Sequence, residues 1–402
     1  MRIDTTVEDC ADDVMSVAEE HRADLVALLQ TLVEAESPSD VPEAQTPVFE
    51  LVEEALKPLG FRFLRLPGKA SGGQLLARPI SATSGTPAQL MLGHVDTVWP
   101  LGTLKEMPVE QRNGCLYGPG VFDMKGGIVQ MVFALRALQD LSLTPPLQPV
   151  IFLNSDEEVG SVESRPRIRR LARAVQRTFV LEPALGPEGR LKTARKGVGR
   201  FTIEVQGRAS HAGLDPEGGA SAIVELSHVV QHLHALNDPE RGITVNVGTI
   251  EGGQRPNVVA PRSRAEVDVR VRTMEDAKEV EQSIFALEPA TPNVMLNVEG
   301  HFGRPPLERT PRNRALWHLA QQASEQLGLT LGEGRAGGAS DGNETSLFSA
   351  TLDGLGPVGD GAHAEHEHVD IDQLVERTAL LALLLMADPV SVPHAPESEH
   401  TP

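Results

Sequence analysis

The chain has 402 residues, 40% hydrophobic and 23% charged, which is the composition of a globular protein and not of a disordered one. Its formal net charge of −20 argues against nucleic acid and anionic membranes as partners, because an acidic surface repels phosphate groups. The two cysteines, Cys10 and Cys115, exclude a cysteine-rich zinc site and argue against a disulfide framework. The length favours two or three domains.

Neither end of the chain carries a membrane signal. The acidic N-terminus, MRIDTTVEDCADDV, has no basic segment and no apolar segment of the kind that begins a secretory signal. The longest apolar run, TALLALLLMA at 378–387, is too short to span a bilayer. We therefore expect a cytoplasmic protein that ends in a loose tail, PHAPESEHTP, at 393–402.

The first half of the chain alternates between helical and strand patterns. Helical periodicity occurs over 15–35 and 47–57, and an amphipathic helix is predicted over 125–141. Buried strands are predicted at 89–93 (QLMLG), 149–154 (PVIFLN) and 178–182 (TFVLE). Buried strands that alternate with helices predict an α/β fold with a mixed, largely parallel sheet and flanking helices.

The pattern changes near residue 196. Strands that alternate in polarity are predicted at 199–207, 244–253 and 264–272, with a helix over 221–236. This order predicts an inserted α+β domain, 196–305, with its own antiparallel sheet. The helix-rich pattern resumes at 306, so we expect a discontinuous catalytic domain made of residues 1–195 and 306–402.

Histidine and acidic residues follow the predicted strands: His94 and Asp96, then Asp156, Glu157 and Glu158, then Glu182. Asp123 follows a further segment, CLYGPGVF, which predicts another strand end. Active sites of open α/β sheets gather outside the carboxyl ends of the strands, so we expect these side chains to converge. Converging carboxylates repel one another unless a cation lies between them. Histidine with carboxylates suits zinc, with cobalt or manganese as alternatives.

Seven motifs occur in a specific order: GHVDTV, GPGVFDMKGG, DEEVGS, LEPA, ASHAG, RPNVVAP and GAHAEHEHVD. In this order they resemble the M20 family of zinc peptidases over roughly 20–390, and the branch most similar is that of the glutamate carboxypeptidases. The resemblance implies two divalent metal ions, most simply zinc. Its ligands would be His94 and Glu182 for one ion, Glu158 and His363 for the other, and Asp123 as a bridge.

The resemblance also assigns roles next to the metal ions. Glu157 would be the general base, and Asp96 the carboxylate that orients His94. Of the three histidines in GAHAEHEHVD, the resemblance selects His363 as the ligand and leaves His366 and His368 at variable positions. A pair of metal ions with a free glutamate beside them is suited to activating a water molecule.

The inserted domain would be both a lid and the contact of a homodimer. His211 would reach the active site of the neighbouring subunit and stabilise the developing oxyanion, and Asn257 would hydrogen-bond near the scissile carbonyl. Arg270 and Arg304 would surround the C-terminal carboxylate of the substrate, which suits the fork geometry of arginine.

We therefore predict a metal-dependent carboxypeptidase that releases an acidic amino acid, such as glutamate, from a small peptide or N-acyl conjugate. A deacylase of N-acyl amino acids, of the acetylornithine deacetylase or succinyl-diaminopimelate desuccinylase type, is the alternative within the family, because both reactions hydrolyse an amide. A serine hydrolase with Ser340 as nucleophile and His363 as base is a further alternative, suggested by G-x-S-x-G at 338–342. This motif requires a buried strand directly before the serine, and the polar, glycine-rich residues before Ser340 argue against one. A non-catalytic binding protein would have lost the base or a ligand, and all are present.

Overall fold

A computed structural model of the chain describes residues 10–83 and 85–389. The chain divides into two compact units: a larger one of Met1–Thr193, Arg309–Arg335 and Ser340–Pro402, and a smaller one of Ala194–Glu308 and Ala336–Ala339. The predicted C-terminal tail and most of the acidic N-terminus lie outside the described residues.

The larger unit is rich in helices: α1 (Ala11–Glu20), α2 (Arg22–Glu34), α3 (Pro42–Leu56), α4 (Gly126–Asp140), α5 (Arg165–Ala174), α8 (Pro311–Gln326), α9 (Gly342–Thr345) and α10 (Ile371–Met386). The periodicity over 15–35 belongs to two helices, which separate at His21, where the imidazole lies 2.7 Å from the Asp140 carboxylate. Across residues 10–83 and 85–389, no helix combines the length and the apolar sequence that a membrane span needs.

A six-stranded sheet forms the centre of the larger unit, in the order β1 (Phe61–Leu66), β2 (Gln74–Pro79), β6 (Gln148–Asn154), β3 (Ala88–His94), β7 (Arg177–Val180) and β14 (Ala350–Leu352). The last four strands run parallel, whereas β2 is antiparallel to both of its neighbours. The predicted mixed, largely parallel sheet is confirmed, and β1 and β2 are strands that the sequence pattern did not indicate.

The remaining strands of the larger unit are short. Four of them form a second sheet, in the order β15 (Gly359–Asp360), β16 (His368–Asp370), β5 (Cys115–Tyr117) and β4 (Glu110–Arg112). Two others, β8 (Leu191–Arg195) and β13 (Glu333–Ala336), pair with each other, and each continues by one or two residues into the smaller unit. The sheet that contains β16 is important for the site, because it fixes the segment that follows His363.

Both faces of the central sheet are covered at β3 and β6, which explains why these two strands are largely apolar runs. Met91 and Ile151 face a large core that includes α4 and α10. Leu90 and Phe152 face the opposite side, where they pack with Ile168 of α5. Because both faces of these strands are buried, the side chains of the site follow the strands at their ends.

The smaller unit contains a four-stranded antiparallel sheet in the order β10 (Thr244–Gly252), β11 (Arg262–Val271), β9 (Gly197–Gln206) and β12 (Met295–Arg304). The helices α6 (Ala222–Ala235) and α7 (Met274–Phe285) cover one face of it through a core of aliphatic side chains. Side chains of β9 alternate between buried and less buried positions, which is the pattern of a sheet with one covered face. The structure adds α7 and β12 to the elements predicted for this region.

Candidate metal centre

The carboxyl edge of the central sheet carries most of the predicted ligands. His94 is the last residue of β3, Glu157 and Glu158 follow the end of β6, and Glu182 follows β7 by two residues. Because β3, β6 and β7 are parallel, their ends lie at one edge of the sheet. The structure therefore brings these side chains together as the sequence predicts.

His94 is buried and directs one ring nitrogen into the site. Its Nδ1 lies 2.9 Å from the backbone oxygen of Asp96, which can only accept a hydrogen bond. The neutral imidazole therefore carries its proton on Nδ1 and leaves a lone pair on Nε2. That Nε2 lies 3.3 Å from Asp123 Oδ1 and 3.6 Å from Glu182 Oε1, which is the arrangement of a metal-ligating histidine.

Asp123 reaches the site in a different way from the other ligands. We expected it at a strand end, but that prediction was wrong: β5 ends at Tyr117, and Asp123 lies in an irregular turn, Val121–Lys125, directly before α4. The backbone of Asp123 is not helical, with φ −115 and ψ 94. Gly120 precedes this turn with φ +74, a left-handed conformation that glycine adopts without strain. A turn, and not the sheet, aims the Asp123 carboxylate.

The carboxylate of Asp123 lies between two imidazoles. Its Oδ1 faces His94 Nε2 at 3.3 Å, and its Oδ2 faces His363 Nε2 at 3.6 Å. His363 also approaches Glu158, with 3.3 Å between Nε2 and Oε1. One carboxylate with a histidine on each side is the geometry of a bridging ligand between two ions.

The charges of the site favour a cation. Burial would lower the pKa of His94, but the nearby Asp123 carboxylate and its acidic neighbours raise the pKa well above its usual value. Contacts with Asp123 and Glu158 raise the pKa of His363 to about 10. Burial raises the pKa of Glu158 itself. The carboxylates thus favour protonation of the two imidazoles. Divalent ions bound at the same place would supply this positive charge instead.

The donor atoms fit a pair of metal ions. His94 Nε2 and Asp123 Oδ1 are both buried, and neither makes a hydrogen bond within residues 10–83 and 85–389. Two overlapping groups have ligand atoms within 4.8 Å of one another: His94 with Glu157 and Glu182, and His94 with Asp123 and Glu158. Nitrogen and carboxylate donors of this kind are the ligands that zinc binds.

Asp96 holds the two neighbouring loops of the site together. Its carboxylate is fully buried and accepts a hydrogen bond of 2.8 Å from Ser39 Oγ. It also accepts from the backbone N–H groups of Glu157 and Glu158, each at 3.2 Å. Asp96 therefore orients His94 mainly through its backbone oxygen, and its side chain fixes the backbone of the two adjacent glutamates.

Glu367 is a buried residue of the site region that the sequence did not indicate. Its Oε2 accepts from the Trp99 indole at 2.7 Å and from the backbone N–H of Gly120 at 2.8 Å. Its Oε1 accepts from the backbone N–H groups of Phe122 and Asp123 at 2.9 and 3.0 Å. Burial raises the pKa of Glu367, while these donors act in the opposite direction.

The serine hydrolase alternative fails on geometry. Ser340 is fully buried, and its hydroxyl donates to Asp353 Oδ2 at 2.6 Å. Ser340 Oγ also accepts a hydrogen bond from the backbone N–H of Gly342 at 3.0 Å. A buried serine bound to a carboxylate has neither the imidazole base nor the access that a nucleophile needs.

Four predicted substrate contacts lie in the smaller unit. The segments of His211 and Asn257 are adjacent, because the backbone N–H of Ala212 donates to the Asn257 oxygen at 3.0 Å. Arg270 makes two hydrogen bonds, of 2.7 and 3.0 Å, to the Asp268 carboxylate, and Arg304 is buried at the end of β12. The roles of these four residues stay predictions.

The fold and the clustered donors define a metal-dependent hydrolase, and comparison with known proteins identifies its family. Residues 90–387 match the model of peptidase family M20/M25/M40, so the chain belongs to this family. It is 28% identical over 384 residues to carboxypeptidase G2 of Pseudomonas sp. (strain RS-16), which covers 93% of this chain and 92% of that protein. It is 30% identical over 244 residues to an acetylornithine deacetylase of Proteus mirabilis (strain HI4320), covering 56% of this chain and 59% of that protein.

Solved structures share the fold at low sequence identity. The aminopeptidase PepT from Bacillus cereus ATCC 10987 has a TM-score of 0.75 and 19% identity, with 91% of this chain and 98% of that chain covered. A dinuclear metal-binding M20 peptidase from Bacillus subtilis has a TM-score of 0.66 and 13% identity, with coverage of 92% and 98%. The M20 resemblance and the prediction of a metallohydrolase are thereby confirmed.

Proposed function

We propose that the protein is a dinuclear metallocarboxypeptidase that releases an acidic C-terminal amino acid from a peptide or N-acyl conjugate. The observation that carries this proposal is the position of Asp123, whose two carboxylate oxygens face His94 and His363 from opposite sides. Zinc is the proposed metal, because the donors are histidine nitrogens and carboxylate oxygens.

His94 and Glu182 would hold one ion, Glu158 and His363 the other, and Asp123 would bridge them. Such a pair of ions, when bound, supplies positive charge that acidifies a water molecule and polarises the scissile carbonyl. Glu157 would accept the proton of the attacking water and transfer it to the leaving amine nitrogen. Its ligand atom lies within 4.8 Å of those of His94 and Glu182, and Asp96 holds its backbone.

We propose that His211 of a neighbouring subunit supplies a donor that stabilises the oxyanion. The backbone N–H groups of Gly213 and Leu214 both approach His211 Nδ1 at 3.2 Å, so the neutral ring carries its proton on Nε2. A protonated Nε2 is the donor that an oxyanion requires. Asn257, on the adjacent segment, would add a second donor.

Carboxypeptidase activity is favoured over deacylase activity by the extent of similarity. The match to carboxypeptidase G2 covers 93% of the chain, whereas the match to the acetylornithine deacetylase covers 56%. Arg304 is buried, which suits a guanidinium that binds a carboxylate away from water. Arg270 is bound to Asp268 and would have to exchange that partner for the substrate.

A panel of substrates that differ at the C-terminal residue tests the proposal. Two guanidinium groups offer more donors than one C-terminal carboxylate can accept, so the side-chain carboxylate of glutamate can bind the remainder. We therefore expect kcat/KM for an N-acyl glutamate to exceed that for the matching N-acyl leucine and N-acyl ornithine by at least about tenfold. A C-terminal amide of the same compound is the control, and we expect it to react poorly. A preference for N-acetylornithine would favour the deacylase, and equal rates on the carboxylate and its amide would contradict the carboxypeptidase.

We also propose that the protein is a homodimer through the smaller unit. In the part of the sheet that the structure describes, β10 is an edge strand whose outer side pairs with no other strand. Exposed apolar side chains lie on β10 and α6: Ile250 is 57% exposed, Ile223 47% and Val224 48%. A second copy could pair with the edge strand and cover these side chains.

The cytoplasmic location stays a prediction.

A further inference from the structure

The turn that carries Asp123 contains several backbone N–H groups that need hydrogen-bond acceptors. The backbone N–H groups of Gly120, Phe122 and Asp123 all donate to one side chain from a distant part of the sequence. Converging backbone N–H groups form a concave site that binds an anion, and buried N–H groups without acceptors cost free energy. The local backbone does not supply these acceptors, so the turn depends on a group from elsewhere in the chain.

Glu367 supplies that group. Each of its carboxylate oxygens accepts two hydrogen bonds, from three backbone N–H groups and from the Trp99 indole, at 2.7–3.0 Å. With four donors around it, the carboxylate is engaged by the turn and is not a metal ligand. Its bond to the N–H of Asp123 acts on the backbone of the proposed bridging residue.

The same residue is tied to the other proposed ligand segment. Glu367 follows His363 by four residues, and its own N–H donates to the Ala364 oxygen at 2.9 Å. On its other side, β16 begins at His368, which is paired with Tyr117 of β5. The loop of His363 and the turn of Asp123 therefore meet at one buried carboxylate.

We propose that Glu367 is a positioning residue that aims the Asp123 carboxylate and couples it to the His363 loop, and that it thereby raises the affinity of the site for metal ions. The inference rests on the proposed metal centre. It assigns Glu367 no contact with substrate, so its effect is on metal binding and not on the chemical step.

Metal titration of Glu367→Gln tests the inference. Glutamine keeps the size of the side chain but turns an amide N–H₂ toward the N–H donors of the turn. We expect metal-free variant protein to bind Zn²⁺ roughly 10–100-fold more weakly than the wild type in competition with a chromophoric chelator, the range seen when a supporting partner of a ligand is lost. At saturating Zn²⁺, kcat should return to within a few-fold of the wild-type value.

Glu365→Gln is the matched control, because Glu365 is an exposed carboxylate two positions away. It should bind Zn²⁺ as the wild type does. A folded Glu367→Gln protein, judged by circular dichroism, whose affinity equals that of Glu365→Gln would overturn the inference. Wild-type protein that binds no metal would instead overturn the proposed metal centre.

Trp99→Phe provides a second route should Glu367→Gln fail to fold. It removes the indole donor and leaves the three backbone hydrogen bonds to Glu367 in place. Because the carboxylate is then held less firmly, we expect Zn²⁺ affinity to fall by about two- to fivefold, as for the loss of part of one hydrogen bond. An unchanged affinity would contradict the coupling of Glu367 to the site.

Discussion

Glu157 and Glu158 are adjacent in sequence, and their substitution should separate catalysis from metal binding. Both backbone N–H groups are bound by the Asp96 carboxylate, so replacing either side chain with glutamine leaves the loop attached. Glu158 Oε1 lies 3.3 Å from His363 Nε2, on the side of the proposed second ion. Glu157 is grouped with His94 and Glu182 on the side of the first. The two variants should therefore fail in different ways.

Glu157→Gln should keep its metal content but have a much lower kcat. Glutamine preserves size but cannot accept the proton of the attacking water, so kcat should fall by roughly 10²–10⁴-fold. At 1.36 kcal/mol for each factor of ten, this corresponds to about 3–5 kcal/mol of transition-state stabilisation. Glu158→Gln should instead lower metal occupancy, because a neutral amide is a weak ligand for a dication, and excess metal should restore part of its rate.

The assay is kcat on an N-acyl glutamate together with metal content by elemental analysis of the same samples. Metal-normalised rates then compare the two variants directly. The assignment is reversed if Glu157→Gln loses metal but keeps its metal-normalised rate. Full metal and full rate in both variants would mean that this loop is not part of the active site.

Three further predictions concern other parts of the molecule. Ser340→Ala should keep kcat within about twofold of the wild-type value. Its free energy of unfolding in urea should fall by about 1–3 kcal/mol, because the variant lacks the hydrogen bond to the buried Asp353. A folded variant without activity would support the serine mechanism. Ile250→Lys should convert dimer to monomer in sedimentation, since it places a charge on the exposed edge strand, and an unchanged mass would contradict that interface. Burial acts to raise the pKa of Glu225, but hydrogen bonds from Thr291 and its neighbour lower this pKa overall. The ionised carboxylate therefore stabilises the fold at pH values above its unfolded-state pKa of about 4.3. This contribution is lost as the pH falls through the lower folded-state pKa. Glu225→Gln should thus cost about 1–2 kcal/mol at pH 7 and much less at pH 3, and an equal loss at both pH values would contradict this sign.

The sequence allowed prediction of those parts of the site that depend on local pattern. His94 and Glu182 follow apolar runs, and in a parallel sheet the end of such a run is also the end of a strand at the shared edge. The alternation of β9 likewise indicated a sheet with one covered face. In these cases the residues next to each side chain in sequence are enough to predict where that side chain lies in the fold.

Other features depend on contacts between distant parts of the chain. Glu367 meets Trp99 and Asp123 across 268 and 244 residues, so no local pattern identifies it as a partner of the turn. The pairing of Arg270 with Asp268 depends on side-chain conformation as well as on sequence. The short strand β1 was not predicted, because arginines interrupt its apolar pattern.

The larger unit is assembled from three separate stretches of chain, and this imposes an order on its formation during synthesis. The first stretch ends at Thr193, yet α10, one of the most deeply buried helices of the core, begins only at Ile371. Residues 1–193 therefore leave the ribosome long before α10, which completes their core, has been made. The smaller unit is nearly continuous in sequence, so most of it is available at one stage of synthesis. His363 also belongs to the last stretch, so the complete set of proposed metal ligands cannot exist before residue 363 has been made.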